Sequence, residues 1–238
     1  MKKIILFIFI IPLTIFGQKY QEPDLVNLIN AEYNESRGSN FPQFGLIGWS
    51  KDGYFAYRII FSNGGIGVAY DAVLVYNLKN DKVVNEIFFG SADFDGPYDY
   101  YETDVWRYNQ RKIDKVLSDY NIIQNSSNIL NTKRYIDKYE IVLKNRTSMC
   151  EEPEYGWDYG EEYEHEYRLL VGNSKTGYKK VGNGLQGCGS SSMNFEGYYI
   201  SPFENRIVIV LSSYTLGYES EEDWNLHFFG CSLNPRTF

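Results

Sequence analysis

The chain has 238 residues, 43% of them hydrophobic and 17% aromatic, with 23 Lys and Arg against 31 Asp and Glu. That length suits one large or two small domains. Phosphate binding needs a basic face, so a formal charge of -8 argues against nucleic acid and anionic membrane surfaces as partners.

The N-terminus reads MKKIILFIFIIPLTIFGQ. Lys2 and Lys3 precede an apolar run from Ile4 to Phe16, and the small residue Gly17 follows. This is the pattern of a secretory signal peptide, with cleavage expected after Gly17. The run is 13 residues long, whereas a spanning helix needs roughly 20. No cysteine lies near the cut to carry a lipid anchor. The expectation is a signal peptide over 1–17 and a single secreted β-rich domain over 18–238, periplasmic or extracellular, with no membrane span after cleavage. Loss of Lys2 and Lys3 lowers the basic count from 23 to 21 against 31 acids, so the charge becomes -10.

Downstream, Asp24–Asn30 has the spacing of one or two helical turns, and Asn34–Asn40 reads as a loop. Leu46–Trp49 and Tyr54–Phe61 read as strands around the turn Ser50-Lys51-Asp52-Gly53, whose Asp-Gly step favours a hairpin. Ser62–Gly67 reads as a loop, Ala69–Tyr76 as a strand, Asn77–Asp81 as a turn and Lys82–Phe89 as a strand. One helix is expected over 103–120. Trp106, Ile113, Val116, Leu117 and Tyr120 share a face at helical spacing, with Thr103 or Asp104 as N-cap and Asn121 at the end. Strands resume at Lys138–Leu143 and Tyr167–Val171, with a turn at Asn173–Gly177. Gly182–Ser192 is rich in Gly and Ser and reads as a loop. Gly197–Ile200, Arg206–Leu211 and Trp224–Leu233 are the last strands. Short strands punctuated by turns predict a mainly-β fold of antiparallel sheets, a sandwich or partial propeller, with one prominent amphipathic helix packed on a face or edge.

Two segments echo each other. GWSKDGYFAYRI (Gly48–Ile59) precedes VLVYNLKNDKVV (Val73–Val84), and YYISPFENRIVIVL (Tyr198–Leu211) precedes WNLHFFGCSLN (Trp224–Asn234). Both resemble the strand–turn–strand of TolB-like and WD40-like β-propeller blades, whose turn reads W-S-P-D-G-K. The first copy carries Lys51 where those blades have Pro; the second keeps Ser201-Pro202 but replaces Asp-Gly by Phe203-Glu204-Asn205. The likeness covers about 70 residues. It implies blade-like hairpins, and the layout is similar to that of secreted bacterial proteins to which no activity is attached.

The 22 tyrosines suit either a Tyr-rich sheet or an aromatic binding face. Cys150, Cys188 and Cys231 allow three pairings or free buried thiols, and no CxxC points to zinc or redox chemistry. The acidic stretch from Glu151 to Glu166 interleaves carboxylates with Tyr155, Trp157, Tyr159, Tyr163 and Tyr167. Within it Tyr159, Glu161, Glu162, Tyr163, Glu164 and Glu166 are the candidate residues for a partner. In a strand, Tyr163, His165 and Tyr167 fall on one face and Glu162, Glu164 and Glu166 on the other. Asp93, Asp95 and Asp99 alternate around Gly96, as calcium ligands in short loops do, although Pro97 breaks the EF-hand pattern. Two histidines (His165, His227) without HExxH, a serine-rich Ser190-Ser191-Ser192 without GxSxG, and a glycine loop without GKS/T supply no catalytic residue. The expected function is non-catalytic binding of a protein or glycan through a Tyr-rich acidic surface. The alternatives are an envelope or extracellular hydrolase using a carboxylate pair drawn from acids such as Asp93, Asp95 or Glu164, and a calcium-stabilised structural module.

Overall fold

The computed structural model describes residues 19–28, 42–63, 68–89, 105–125, 129–150, 163–216 and 222–234. The signal-peptide segment lies outside them. The described chain is mainly β, with three antiparallel sheets and a single helix. Sheet 1 runs β1 (Val26–Asn27), β2 (Gln43–Trp49), β3 (Tyr54–Asn63), β4 (Val68–Asn77) and β5 (Lys82–Phe89), with β6 (Ile123–Gln124) also on β2. The helix α1 (Val105–Asp119) precedes β6. Sheet 2 is a meander of β7 (Tyr135–Ile136), β8 (Tyr139–Met149), β9 (Tyr163–Asn173) and β10 (Gly177–Gln186). Sheet 3 is β11 (Asn194–Ile200), β12 (Arg206–Leu216) and β13 (Glu222–Ser232).

The sheets stack out of chain order, because the last one sits in the middle. Along β12 the side chains alternate with period 2. Val208 and Val210 pack with Phe44, Phe55, Tyr57 and Tyr76 of sheet 1. Ile207, Ile209 and Leu211 pack with Ile141, Leu169 and Val171 of sheet 2. The unbroken apolar run of RIVIVL is the sequence of a strand covered on both faces. The opposite face of sheet 1 (Ala56, Val73, Val75, Ile87) is covered by Trp106, Ile113 and Leu117 of α1. The layer order is therefore α1, sheet 1, sheet 3, sheet 2. Much of the aromatic excess fills these layers. Phe44 stacks on Tyr57, Tyr199 and Phe228 with ring centroids 5.5, 5.7 and 5.5 Å away.

The echoed segments adopt the same local structure. In the β2–β3 turn the Ser50 hydroxyl accepts the Asp52 amide at 3.0 Å; in the β11–β12 turn the Ser201 hydroxyl accepts the Phe203 and Glu204 amides at 3.3 Å. Both serines are buried, so each hydroxyl is fixed beneath its turn and holds the turn amides in place. Each preceding strand carries a bulge, at Leu46/Gly48 and at Phe195/Gly197. The two turns touch, with Lys51 lying 5.9 Å above the Phe203 ring. A second equivalence joins sheets 1 and 2. The Asn77 side chain caps the β4–β5 turn by accepting the Lys79 amide, and Asn173 does the same for Lys175 and Thr176 between β9 and β10. Each turn then reaches a residue with positive φ, Asp81 at 51° and Gly177 at 82°.

The expected helix is present. It ends as its sequence implies, with Asn121 at φ 52° and the Ile122 and Asn121 amides returning to the Leu117 and Ser118 carbonyls. Its expected N-caps lie outside the described residues. Two readings are corrected. Val26–Asn27 pairs with Phe44 and Gln43 as a strand rather than forming a helical turn, because the edge of β2 supplies hydrogen bonds that a two-turn helix cannot match. The Gly-rich stretch from Gly182 to Gln186 belongs to β10 rather than to a loop. Its glycines make room for rings: a Cβ on Gly182 would stand 2.6 Å from Phe229, and one on Gly184 2.7 Å from Tyr167. Strand β8 also extends to Met149, well past the expected Leu143, and β9 starts at Tyr163 rather than Tyr167.

Candidate functional site

Sheet 2 outruns the core that holds it. Its inner half is buried through Ile141, Leu169 and Val171. Beyond Leu143, every β8 residue from Lys144 to Met149 is exposed, so both faces of the strand meet solvent. The register places Lys144 opposite Arg168, Arg146 opposite Glu166 and Ser148 opposite Glu164. Leu185 on β10 lies beside Glu166. Ser148 donates to Glu164 at 3.0 Å, and Thr147 meets His165 Nδ1 at 3.0 Å on the opposite face. A shallow depression of about 500 Å³ runs over Arg146, Glu164, Glu166, Asn183 and Leu185.

A disulfide closes this end. Cys150, just after β8, bonds to Cys188, just after β10, with Cα atoms 6.0 Å apart. Strand β9 lies between β8 and β10, so the bridge ties three strands together. Past the bridge, Ser191 pairs with Tyr214 of β12 through its amide (2.7 Å) and its hydroxyl (2.8 Å). Cys231 is free and buried in the core.

Three residues of the expected partner surface stand here. Tyr163, Glu164 and Glu166 are at the start of β9, with Tyr163 and His165 on one face and the two glutamates on the other, as the period-2 reading requires. Tyr159, Glu161 and Glu162 lie outside the described residues, as do the calcium candidates Asp93, Asp95 and Asp99. The glutamates share their face with Lys144, Arg146 and Arg168, so that face carries both signs of charge rather than one. The basic contributions come from β8 and β9 residues that the sequence reading left out. Alternation along Lys144–Met149 was the available signal.

Two polar contacts elsewhere also went unread. Ser213 Oγ meets His227 Nε2 at 2.9 Å on the face of sheet 3 turned to sheet 2. The hydroxyl is buried, burial pushes the His227 pKa down, and among the described residues no carboxylate hydrogen-bonds the ring. The pair therefore lacks the orienting acid of a nucleophilic triad. On the other face the bulge residue Glu196 accepts from the Ser212 hydroxyl, and burial raises its pKa against that hydrogen bond. Both contacts depend on the β11–β12–β13 register, which no short motif encodes. Among the described residues, no three His, Cys, Asp or Glu side chains gather to hold a metal ion, and no helix is long and apolar enough to cross a membrane.

No protein-family model, curated protein or solved structure matches the chain.

Proposed function

We propose that this is a secreted, non-catalytic binding protein whose partner is another protein, held against the outer end of sheet 2. The observation that carries the reading is the exposure of Lys144–Met149 on both faces of a strand fixed at its tip by a disulfide. A staple beside a β8 segment whose six residues are all exposed holds that segment in order for contact rather than for core formation. Met149 and Leu185 are about 60% exposed there, and Tyr163, the cross-strand partner of Met149, is exposed as well. Leu185 shares its face with Arg146, Glu164, Glu166 and Arg168, while Met149 and Tyr163 stand on the opposite face. This end of the sheet therefore offers an apolar anchor in a charged surround on one side and an apolar and an aromatic anchor on the other, residue types that protein interfaces use. Secretion is supported by the pattern of residues 1–17 and by the disulfide, which suits an oxidising compartment.

The test is cross-linking of the mature protein, tagged at its C-terminus, within the envelope fraction of its own host, followed by reconstitution with the purified partner. The expected result is one stoichiometric protein whose binding is lost in the double charge reversal Arg146→Glu, Glu166→Arg and in Leu185→Asp, with folding unchanged. A partner that binds these variants as well as the wild type, or the absence of any stoichiometric protein, overturns the reading.

A further inference from the structure

Sheets 1 and 3 part at one side of their shared core and leave a cleft of about 240 Å³. Tyr57 of β3 and Trp224 and Phe228 of β13 give it aromatic walls, and Leu74 and Leu226 line it from β4 and β13. Glu86 of β5 is the one charged residue among those lining it. The register sets Glu86 directly opposite Leu74, whose side chain packs into the core between sheets 1 and 3, so the carboxylate stands on the face turned to sheet 3. Glu86 has no ion-pair or hydrogen-bond partner among the described residues.

We propose that this cleft is a binding site for an organic ammonium cation. Three aromatic side chains and one carboxylate with no counter-charge among the described residues are the two elements that recognise such a cation: the electron-rich ring faces attract it, and the carboxylate neutralises it. A neutral ligand of the same shape gains only the apolar contact. An anion is repelled by Glu86. The nearness of Glu86 already marks the local field, since burial and this carboxylate together push the Tyr57 pKa upward. The site is independent of the outer end of sheet 2 and stands whether or not a protein binds there.

The experiment is a titration of the full mature protein followed by calorimetry and Trp fluorescence. The probes are choline, the neutral isostere 3,3-dimethylbutan-1-ol and N-acetyl-lysine amide. Saturable binding of choline or of the lysine amide is expected, at least about tenfold tighter than binding of the neutral isostere, and the tighter of the two tells whether the cation arrives free or on a peptide. Glu86→Gln, at an exposed strand position that leaves the core intact, is expected to weaken the cation about tenfold and leave the isostere unchanged. Equal affinity for the neutral isostere, no effect of Glu86→Gln, or no saturable binding of either cation overturns the proposal.

Discussion

Arg58 and Asp71 form a two-pronged pair inside the layer between sheet 1 and α1. Arg58 Nε donates to Asp71 Oδ1 at 2.8 Å and Nη2 to Oδ2 at 2.5 Å, with both residues buried. The third guanidinium nitrogen, Nη1, bonds Glu22, and Trp106 of the helix lies 5.8 Å from the guanidinium carbon. The pair thus joins two strands, the helix and the segment that precedes β1. That segment is pinned further by Tyr20, whose hydroxyl donates to the Ile122 carbonyl at 2.7 Å and whose amide donates to Asp114 at 2.9 Å.

Removing one partner of a buried pair leaves the other charge uncompensated. Asp71→Ala is expected to destabilise the fold by about 3–5 kcal/mol in urea unfolding. The double replacement Arg58→Met, Asp71→Leu is expected to cost clearly less, because it leaves no charge behind. Glu22→Gln, at the half-exposed third contact, is expected to have the smallest effect of the three.

The disulfide closes a loop with a sequence separation of 38. Chain-entropy arguments give a bridge of that span about 4 kcal/mol of stabilisation. The double variant Cys150→Ser, Cys188→Ser is expected to lower the melting temperature. Faster amide exchange in Lys144–Met149 and Tyr163–Glu166 is expected to precede any change in β12. Uniform loss of protection over all three sheets contradicts this.

Gly182 has no room for a side chain because the Phe229 ring occupies its Cβ position. Gly182→Val is expected to destabilise by about 1–3 kcal/mol through overpacking, read as a lower urea midpoint at unchanged slope. Leu185→Val, three residues on at an exposed position, is expected to leave the midpoint unchanged.

Burial lowers the His227 pKa, so the unfolded chain binds its proton at higher pH than the folded one. Stability from this residue is complete above about 6.5, the ordinary histidine value, and falls as pH drops from there through the folded pKa. Urea midpoints measured from pH 7.5 to 5 are expected to decline in the wild type and to decline less steeply in His227→Gln. Equal slopes sink the assignment. Glu196, whose pKa burial raises, acts in the opposite sense: its contribution falls as pH rises from its ordinary value through the folded one.

Most strands and the helix were legible because their signals are local. Trp106, Ile113 and Leu117 recur at helical spacing, and Asn121 stops the helix by a left-handed turn that asparagine tolerates. The Asp-Gly turn at 52–53 and the Asn-led turns at 77 and 173 fixed hairpins for the same kind of reason. Where the reading failed, a neighbour distant in sequence decided. Val26–Asn27 became a strand because β2 offered an edge, and Gly182 and Gly184 became strand residues because Phe229 and Tyr167 fill the space above them. Of the candidate surface, Tyr163, Glu164 and Glu166 were placed on their correct faces by period 2 alone. Their cross-strand neighbours Arg146 and Ser148 were not, since register between β8 and β9 is set by pairing rather than by either strand.

The sequence by itself determined the class of this protein: mainly β, antiparallel, one amphipathic helix, with two serine turns built alike. Backbone preference and side-chain period act over a few residues, so a single strand or turn carries them whole. Only the tertiary structure decided that the last sheet lies between the other two, that Cys150 takes Cys188 and leaves Cys231 buried, and that Glu86 faces a cleft walled by Trp224 and Phe228. Those outcomes rest on contacts such as the 2.8 Å hydrogen bond from the Tyr76 hydroxyl to the Phe228 carbonyl, 152 residues apart in sequence. The free energy of burying two apolar faces at once selects among stacking orders, and it belongs to the assembled layers rather than to any one of them.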